Sequence, residues 1–200
     1  MLHTSFFGYK LIVMKSAIKL FLAFCLVMSL SAFARVDNRT YTHHVDTLAV
    51  WVNPKGIKVY VEPANKSQIL ERAINIWDGA MRSDMNFVFV NNKNDADISL
   101  AFVDQLDGNK LGIAESSHIQ IQGKIYLYKV NISIARKDPM GFINNDAEIL
   151  KTALHEIGHG IGILGHSNSI NDIMYYSSSS TKSTSPSLRD IDTVNKLYGF

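Results

Sequence analysis

Histidines and glycines are concentrated between positions 155 and 167, and their spacing limits how the chain can fold. His155 and His159 are four residues apart, so a helix would place both imidazoles on one face, one turn above the other. Two such nitrogens can occupy adjacent corners of a tetrahedral zinc site. The helix must then end so that the chain can turn back, and glycine reaches the left-handed backbone angles that this needs. Three glycines are available here: Gly160, Gly162 and Gly165.

The same stretch supplies a third ligand and a general base. His166 follows the glycines and is the expected third zinc ligand. Three protein ligands leave one coordination position open, which is typical of a catalytic zinc rather than a structural one. Glu156 lies beside His155, where a carboxylate can take a proton from the attacking water without holding the metal. The sequence therefore predicts one catalytic Zn²⁺ held by three histidines, Glu156 as the catalytic residue, and no organic cofactor.

The stretch resembles the zinc signature of the metzincin metallopeptidases, and most closely that of the matrixin branch. The run Asp172-Ile173-Met174-Tyr175 resembles the Met-turn that follows the third histidine in that clan. The resemblance implies that Met174 forms a hydrophobic floor under the histidines. It also implies an auxiliary role near the metal for Tyr176, because other metzincin branches have a tyrosine there, whereas matrixins usually have proline.

The zinc signature departs from the family pattern at one point. Three residues separate Gly162 from His166, where the clan usually has two. Gly165 directly precedes His166 and can take up the added length, since glycine adopts backbone angles that a side chain would forbid. Some relatives use an aspartate as third ligand, which leaves Asp172 as the alternative. Its position at the approach to the Met-turn is already explained by turn formation.

Residues 1–34 are predicted to be a secretory signal peptide. Lys15 and Lys19 precede an apolar run at 20–33, and Ala32-Phe33-Ala34 has the small-x-small pattern of a cleavage site. Met14 is an alternative start, because 14–34 forms a complete signal by itself. The apolar run is short for a membrane span of about 20 residues, so an uncleaved anchor is the weaker interpretation.

Charge and cysteine content limit the classes of binding partner that the chain is expected to have. The net charge of +2 depends on lysines in the leader, and without them basic and acidic residues nearly balance. Nothing therefore favours nucleic acid or an anionic membrane as partner. The only cysteine, Cys25, also lies in the leader, so the mature chain would have no disulfide and no matrixin-type cysteine switch. We expect a secreted or periplasmic monomer that acts on protein or peptide substrates and has no stable membrane association after signal cleavage.

Hydrophobic periodicity predicts a mixed α/β (α+β) domain over 55–200, preceded by a polar N-terminal segment over 35–54. Two long helices are expected, one with Ser67 as its cap and one from Asp146 with Asn145 as its N-cap, followed by a C-terminal helix capped by Ser187. The resemblance implies a five-stranded twisted sheet with the zinc cleft under an edge strand, whose open backbone groups pair with the substrate. The strands are predicted at 57–61, 87–90, 97–103, 111–115 and 125–135.

The sequence leaves two questions open. Asp107-Gly108 is a turn signal in a segment that resembles a calcium-binding segment of matrixins, so Ca²⁺ is a weaker candidate cofactor. A secreted zinc endopeptidase is the leading interpretation. The alternatives are a zinc amidase that acts on cell-wall or other non-protein amides, and a non-catalytic binding protein on the same scaffold.

Overall fold

The structure is a computed structural model that describes residues 49–82 and 84–200. These residues belong to one unit, which spans residues 38–200. The predicted signal peptide, with Met14 and Cys25, lies outside the described residues, as does most of segment 35–54. The strands and helices of the described ranges are β1 (Ala49–Trp51), β2 (Lys55–Val61), α1 (Ser67–Met81), β3 (Asn86–Phe89), β4 (Ile98–Val103), β5 (Gly112–Ile121), β6 (Lys124–Ala135), α2 (Asp146–Gly160) and α3 (Leu188–Tyr198). No helix of these two ranges is long and apolar enough to cross a membrane.

The sheet is organised around β6, its longest strand. Five strands follow the order β1-β6-β4-β2-β3, and all of their pairings are parallel. β5 lies off this path and pairs with β6 in the antiparallel sense along ten register positions. The mixed α/β class predicted from the sequence is therefore confirmed.

The sheet has six strands in the described ranges, one more than predicted. The additional strand, β1, belongs to the segment that was expected to be a polar edge. Trp51 is only 6% exposed, and its indole Nε1 donates to the Gly160 carbonyl at 3.0 Å. Three residues are too few to show a period-2 pattern, so the strand is defined by its partners rather than by its own sequence. β5 also extends to Ile121, well beyond the predicted end at 115. The prediction ended too early because polar residues occupy the middle of the strand.

Helix α1 packs against α2 through the apolar face that the sequence predicts. Its buried residues are Ile69, Leu70, Ala73, Ile74, Trp77 and Met81. Trp77 is fully buried, and its Nε1 donates to the Leu154 carbonyl of α2 at 2.9 Å. This hydrogen bond satisfies the only polar atom of the indole, as a buried tryptophan requires.

Local caps determine where α2 and α3 begin. The Asn145 side chain accepts hydrogen bonds from the backbone N–H groups of Ala147 and Glu148, and the Glu148 carboxylate accepts from the Asn145 N–H. Ser187 and Asp190 form the same reciprocal pair at the start of α3. Both N-cap residues were predicted from the sequence, and the capping box at Asn145 fixes the first turn of the helix that carries His155 and His159.

The C-terminal end of α2 is tied to β1 and α3. The Tyr198 hydroxyl donates to the Ile161 carbonyl at 2.9 Å and accepts from the Trp51 N–H at 3.2 Å. Burial raises the pKa of Tyr198 above its usual range. Gly162 lies next to this junction with φ +105°, and a Cβ there would be 2.1 Å from the Ala49 carbonyl oxygen. The chain reversal after α2 therefore requires glycine at this position.

We expect Gly162→Ala to lower the free energy of unfolding by about 2–5 kcal/mol. The positive φ costs about 1–2 kcal/mol for an L-residue, and overpacking against backbone adds about 1–3 kcal/mol. Gly199→Ala is the matched control, because Gly199 has φ +77° but open space around it. Urea denaturation of both variants tests this, and equal midpoints for the two would contradict the proposed clash.

Candidate metal centre

Three histidines converge at the C-terminal part of α2, where His155 and His159 lie on the helix and His166 follows it. The Nε2 atoms of His155 and His159 are 3.2 Å apart. The ring of His166 lies 5.1 Å from that of His155 and 4.9 Å from that of His159, between centroids. One ligand atom from each residue lies within 4.8 Å of the others. Within residues 49–82 and 84–200, no other group of three or more His, Cys, Asp or Glu residues is arranged in this way.

Backbone carbonyls orient two of the imidazoles. His155 Nδ1 donates to the Ile173 carbonyl at 2.9 Å, and His159 Nδ1 donates to the Ile163 carbonyl at 2.6 Å. A carbonyl can only accept, so these contacts place the proton on Nδ1 and leave the Nε2 lone pair free. Metal-ligating histidines are typically held in this way. The donor set therefore fits a zinc ion bound through Nε2 of both residues.

The electrostatics of the site keep the histidines neutral. Burial, and after it the neighbouring His159, lowers the pKa of His155 to about 3. Burial likewise lowers the pKa of His159 to about 4, and it shifts the pKa of His166 in the same direction. Neutral imidazole is the form that binds a metal, so protons compete weakly with a cation here.

Glu156 is buried directly beneath the first residue of β5. A Cβ at Gly112 would be 2.6 Å from Glu156 Cγ and 2.7 Å from Thr152 Cγ2, so only glycine allows this approach. Burial raises the pKa of Glu156 to about 7, although a hydrogen bond from the Ala114 backbone opposes the shift. A carboxyl group whose pKa lies near neutrality can both accept and return a proton. The sequence analysis did not identify Gly112, and a glycine at the start of a strand was the available signal of a close approach.

Met174 and Tyr176 occupy different parts of the site. Met174 is fully buried, and a Cβ at Gly158 would be 2.2 Å from its sulfur, so the side chain packs directly on the α2 backbone beside His159. Tyr176 is 66% exposed, and its ring lies 4.3 Å from that of Tyr175, between centroids. Tyr176 also lines the cleft that contains the three histidines.

Asp172, the alternative third ligand, does not join the histidine cluster. Its carboxylate accepts from Ser187 Oγ and from Arg189 Nε, each at 2.8 Å, and from the Ser167 hydroxyl. The side chain is buried, and its ion pair with Arg189 links the segment 172–175 to α3. The aspartate therefore has a structural role that accounts for its burial.

The cleft has a volume of about 480 Å³. Gly112, Ile113 and Ala114 of β5 form one wall, and residues 176–179 form another. His155, Glu156, His159 and His166 line the same space. Among the described strands β5 pairs only with β6, so its other edge has no strand partner there and could pair with an extended chain in the cleft.

The calcium prediction has no support in the described residues. The Asp104 carboxylate pairs with Lys137 at 2.9 Å, and Asp107 joins no group of potential metal ligands there. Calcium dependence therefore stays a prediction from the resemblance alone.

Comparisons with known proteins find a family model and several similar proteins. A family model described as matrixin, of the M10 peptidases, matches residues 42–199. Metalloendoproteinase 1-MMP of Arabidopsis thaliana is 27% identical over 161 residues, which are 77% of this chain and 43% of that protein. The chain thus spans less than half the length of this curated relative. Among solved structures, one of myroilysin matches with a TM-score of 0.48 and 14% identity, over 76% of this chain and 96% of the other. A second myroilysin structure matches with a TM-score of 0.45 and 13% identity, over 78% of this chain and 93% of the other.

Proposed function

The chain belongs to the matrixin family and carries its metallopeptidase domain, and from this premise we propose that it is a zinc-dependent endopeptidase. The observation that carries the proposal is the convergence of three histidines in the cleft that also holds the buried Glu156. We assign the metal site to His155, His159 and His166, and the general base to Glu156.

The assignment of the metal site follows from the histidine nitrogens that could donate to a metal. The carbonyls of Ile173 and Ile163 hold His155 and His159 with Nε2 free, and the pKa values of both histidines keep them neutral. His166 completes a three-nitrogen set, which leaves a fourth position open. Zinc bound here supplies a Lewis acid that polarises the substrate carbonyl and makes water more acidic.

Glu156 moves the proton. Its carboxylate takes a proton from the attacking water and gives it to the amine that leaves when the peptide bond breaks. Burial under Gly112 supports both halves of this task, because it raises the pKa of Glu156 to about 7. Tyr176 stands at the rim of the same cleft, and we assign it an auxiliary contact with the substrate.

The substrate is a protein or peptide that lies extended along β5. Unpaired N–H and C=O groups on the free edge of a strand can add a further strand by backbone hydrogen bonding. The start of β5 passes over Glu156, so a chain paired there would present its peptide bonds to the general base.

We further propose that residues 1–34 direct the protein to the periplasm or the external medium, and that the mature protein acts as a monomer.

Cleavage profiling on a proteome-derived peptide library tests the proposal. We expect the zinc-loaded protein to cut internal peptide bonds, to lose this activity with a chelator and to regain it when zinc is restored. A zinc-loaded protein that leaves the whole library intact would contradict the proposal. If that protein instead hydrolysed peptidoglycan amides, the amidase alternative would be correct.

A further inference from the structure

The loop between β6 and α2 exposes three large apolar side chains. Met140 is 82% exposed, Phe142 68% and Ile143 77%. Single exposed apolar residues are common on protein surfaces, but a contiguous group more often marks a binding surface. No part of the proposed mechanism uses these residues.

The loop is internally hydrogen-bonded. Asp138 Oδ1 accepts from the backbone N–H groups of Met140 at 2.9 Å and Phe142 at 2.8 Å. The Asp138 N–H donates to the Phe142 carbonyl at 2.8 Å, and the Gly141 N–H donates to the Asp138 carbonyl at 3.0 Å. The backbone that presents the apolar side chains is thus ordered before any partner arrives, which lowers the entropic cost of binding.

Phe142 and Ile143 line a hollow that continues from the metal cleft. The hollow has a volume of about 450 Å³. Asn109, Leu111 and Ser179 line both the hollow and the cleft, so one chain can occupy the two together.

The distance from the general base fixes which substrate residue reaches the hollow. Glu148 lines the hollow, and Glu156 lies eight residues further along α2, roughly 12 Å at 1.5 Å per residue. An extended chain covers this distance in three to four residues at about 3.4 Å each. The hollow lies on the side of Leu111 and Asn109, which come before the first residue of β5. A substrate that pairs with β5 in the more stable antiparallel sense therefore has its C-terminal part there.

We propose that Phe142 and Ile143 form a secondary substrate site, which selects an apolar side chain three or four residues C-terminal to the scissile bond. The inference rests on the proposed endopeptidase function and adds a determinant of its specificity. The occupant is the substrate chain itself, because the hollow is continuous with the cleft. Among the described residues that line the hollow, the charged ones are Asp138 and Glu148, which would repel an anionic lipid surface.

The test compares the wild type, a Phe142→Ser/Ile143→Ser variant and the control Val52→Ser in the same peptide-library experiment. Val52 is 77% exposed, as Ile143 is. It directly follows β1, which pairs with the first half of β6, whereas the loop follows the other end of that strand. We expect the wild type and the control to enrich Leu, Ile, Val, Met or Phe at the third or fourth residue after the cut. The double variant should lose this enrichment. Its kcat/KM on a peptide with Leu at the enriched position should fall about tenfold, relative to a matched peptide with Ser there.

The outcomes separate this inference from the proposed function. If the wild type cuts no peptide, the proposed function fails, and the inference fails with it. If the wild type cuts peptides but shows no apolar preference there, or if the double variant keeps the preference, the secondary site is wrong while the peptidase assignment stands. If sedimentation shows a wild-type dimer that the double variant abolishes, a second copy of the chain covers the loop, and the inference is overturned.

Discussion

Replacing Glu156 with alanine should leave zinc content unchanged and lower kcat/KM by a factor of at least 10²–10⁴, the usual contribution of general acid–base catalysis. The carboxylate lies in the cleft with the three histidines but is not part of their cluster, so its removal leaves all three nitrogens in place. The shorter side chain also adds no atom beneath Gly112, so it creates no clash with β5. Peptide hydrolysis rates and bound zinc, measured on the same dialysed samples, test the prediction.

Two further variants test whether the loss of proton transfer, rather than the change in side-chain shape, lowers the activity. Glu156→Gln keeps the shape of the side chain but cannot take up a proton, so it should lose nearly as much activity as the alanine variant. Glu115→Gln is the control, because Glu115 is exposed on the same β5 strand that covers the site. Nearly normal turnover in Glu156→Gln with zinc retained would exclude the residue as general base.

The features that the sequence predicted correctly depend on short-range geometry. The four-residue spacing of His155 and His159, and the capping boxes at Asn145 and Ser187, are set within one or two helical turns. The buried face of α1 follows from a 3.6-residue period, which any packing partner would require. Such patterns can be read without knowing what lies opposite them.

The features that were missed depend on partners distant in the chain. β1 is a strand because Trp51 reaches Gly160 and because β6 offers a free edge, and neither fact is visible in a three-residue run. Gly112 is required because Glu156 lies beneath it, which only the folded sheet reveals. The hollow beside Phe142 arises from the meeting of three loops. In each case tertiary contact, not local propensity, selects the residue.

The identity of the third zinc ligand gives a second prediction with a large effect. His166→Ala should reduce bound zinc after dialysis to a small fraction of one ion per chain. We expect its zinc affinity to fall by roughly a hundredfold or more, since even the loss of an outer hydrogen-bond partner of a ligand costs about 10–100-fold. Asp172→Asn should retain zinc, because the Asp172 carboxylate is engaged by Ser187 and Arg189 and is absent from the histidine cluster.

The two variants should separate metal binding from stability. Asp172→Asn removes the buried negative charge that pairs with Arg189, so we expect the free energy of unfolding to fall by about 2–3 kcal/mol. The expected loss is smaller than the ~3–5 kcal/mol for breaking a fully buried ion pair, because the Arg189 side chain keeps 26% of its surface exposed. His166→Ala should unfold like the zinc-free wild type, because the exposed His166 side chain contributes to stability mainly through the metal. Atomic absorption on dialysed protein, with urea denaturation in chelator, measures both quantities. A zinc-loaded, active His166→Ala beside a zinc-free Asp172→Asn would reverse the assignment and make the aspartate the ligand.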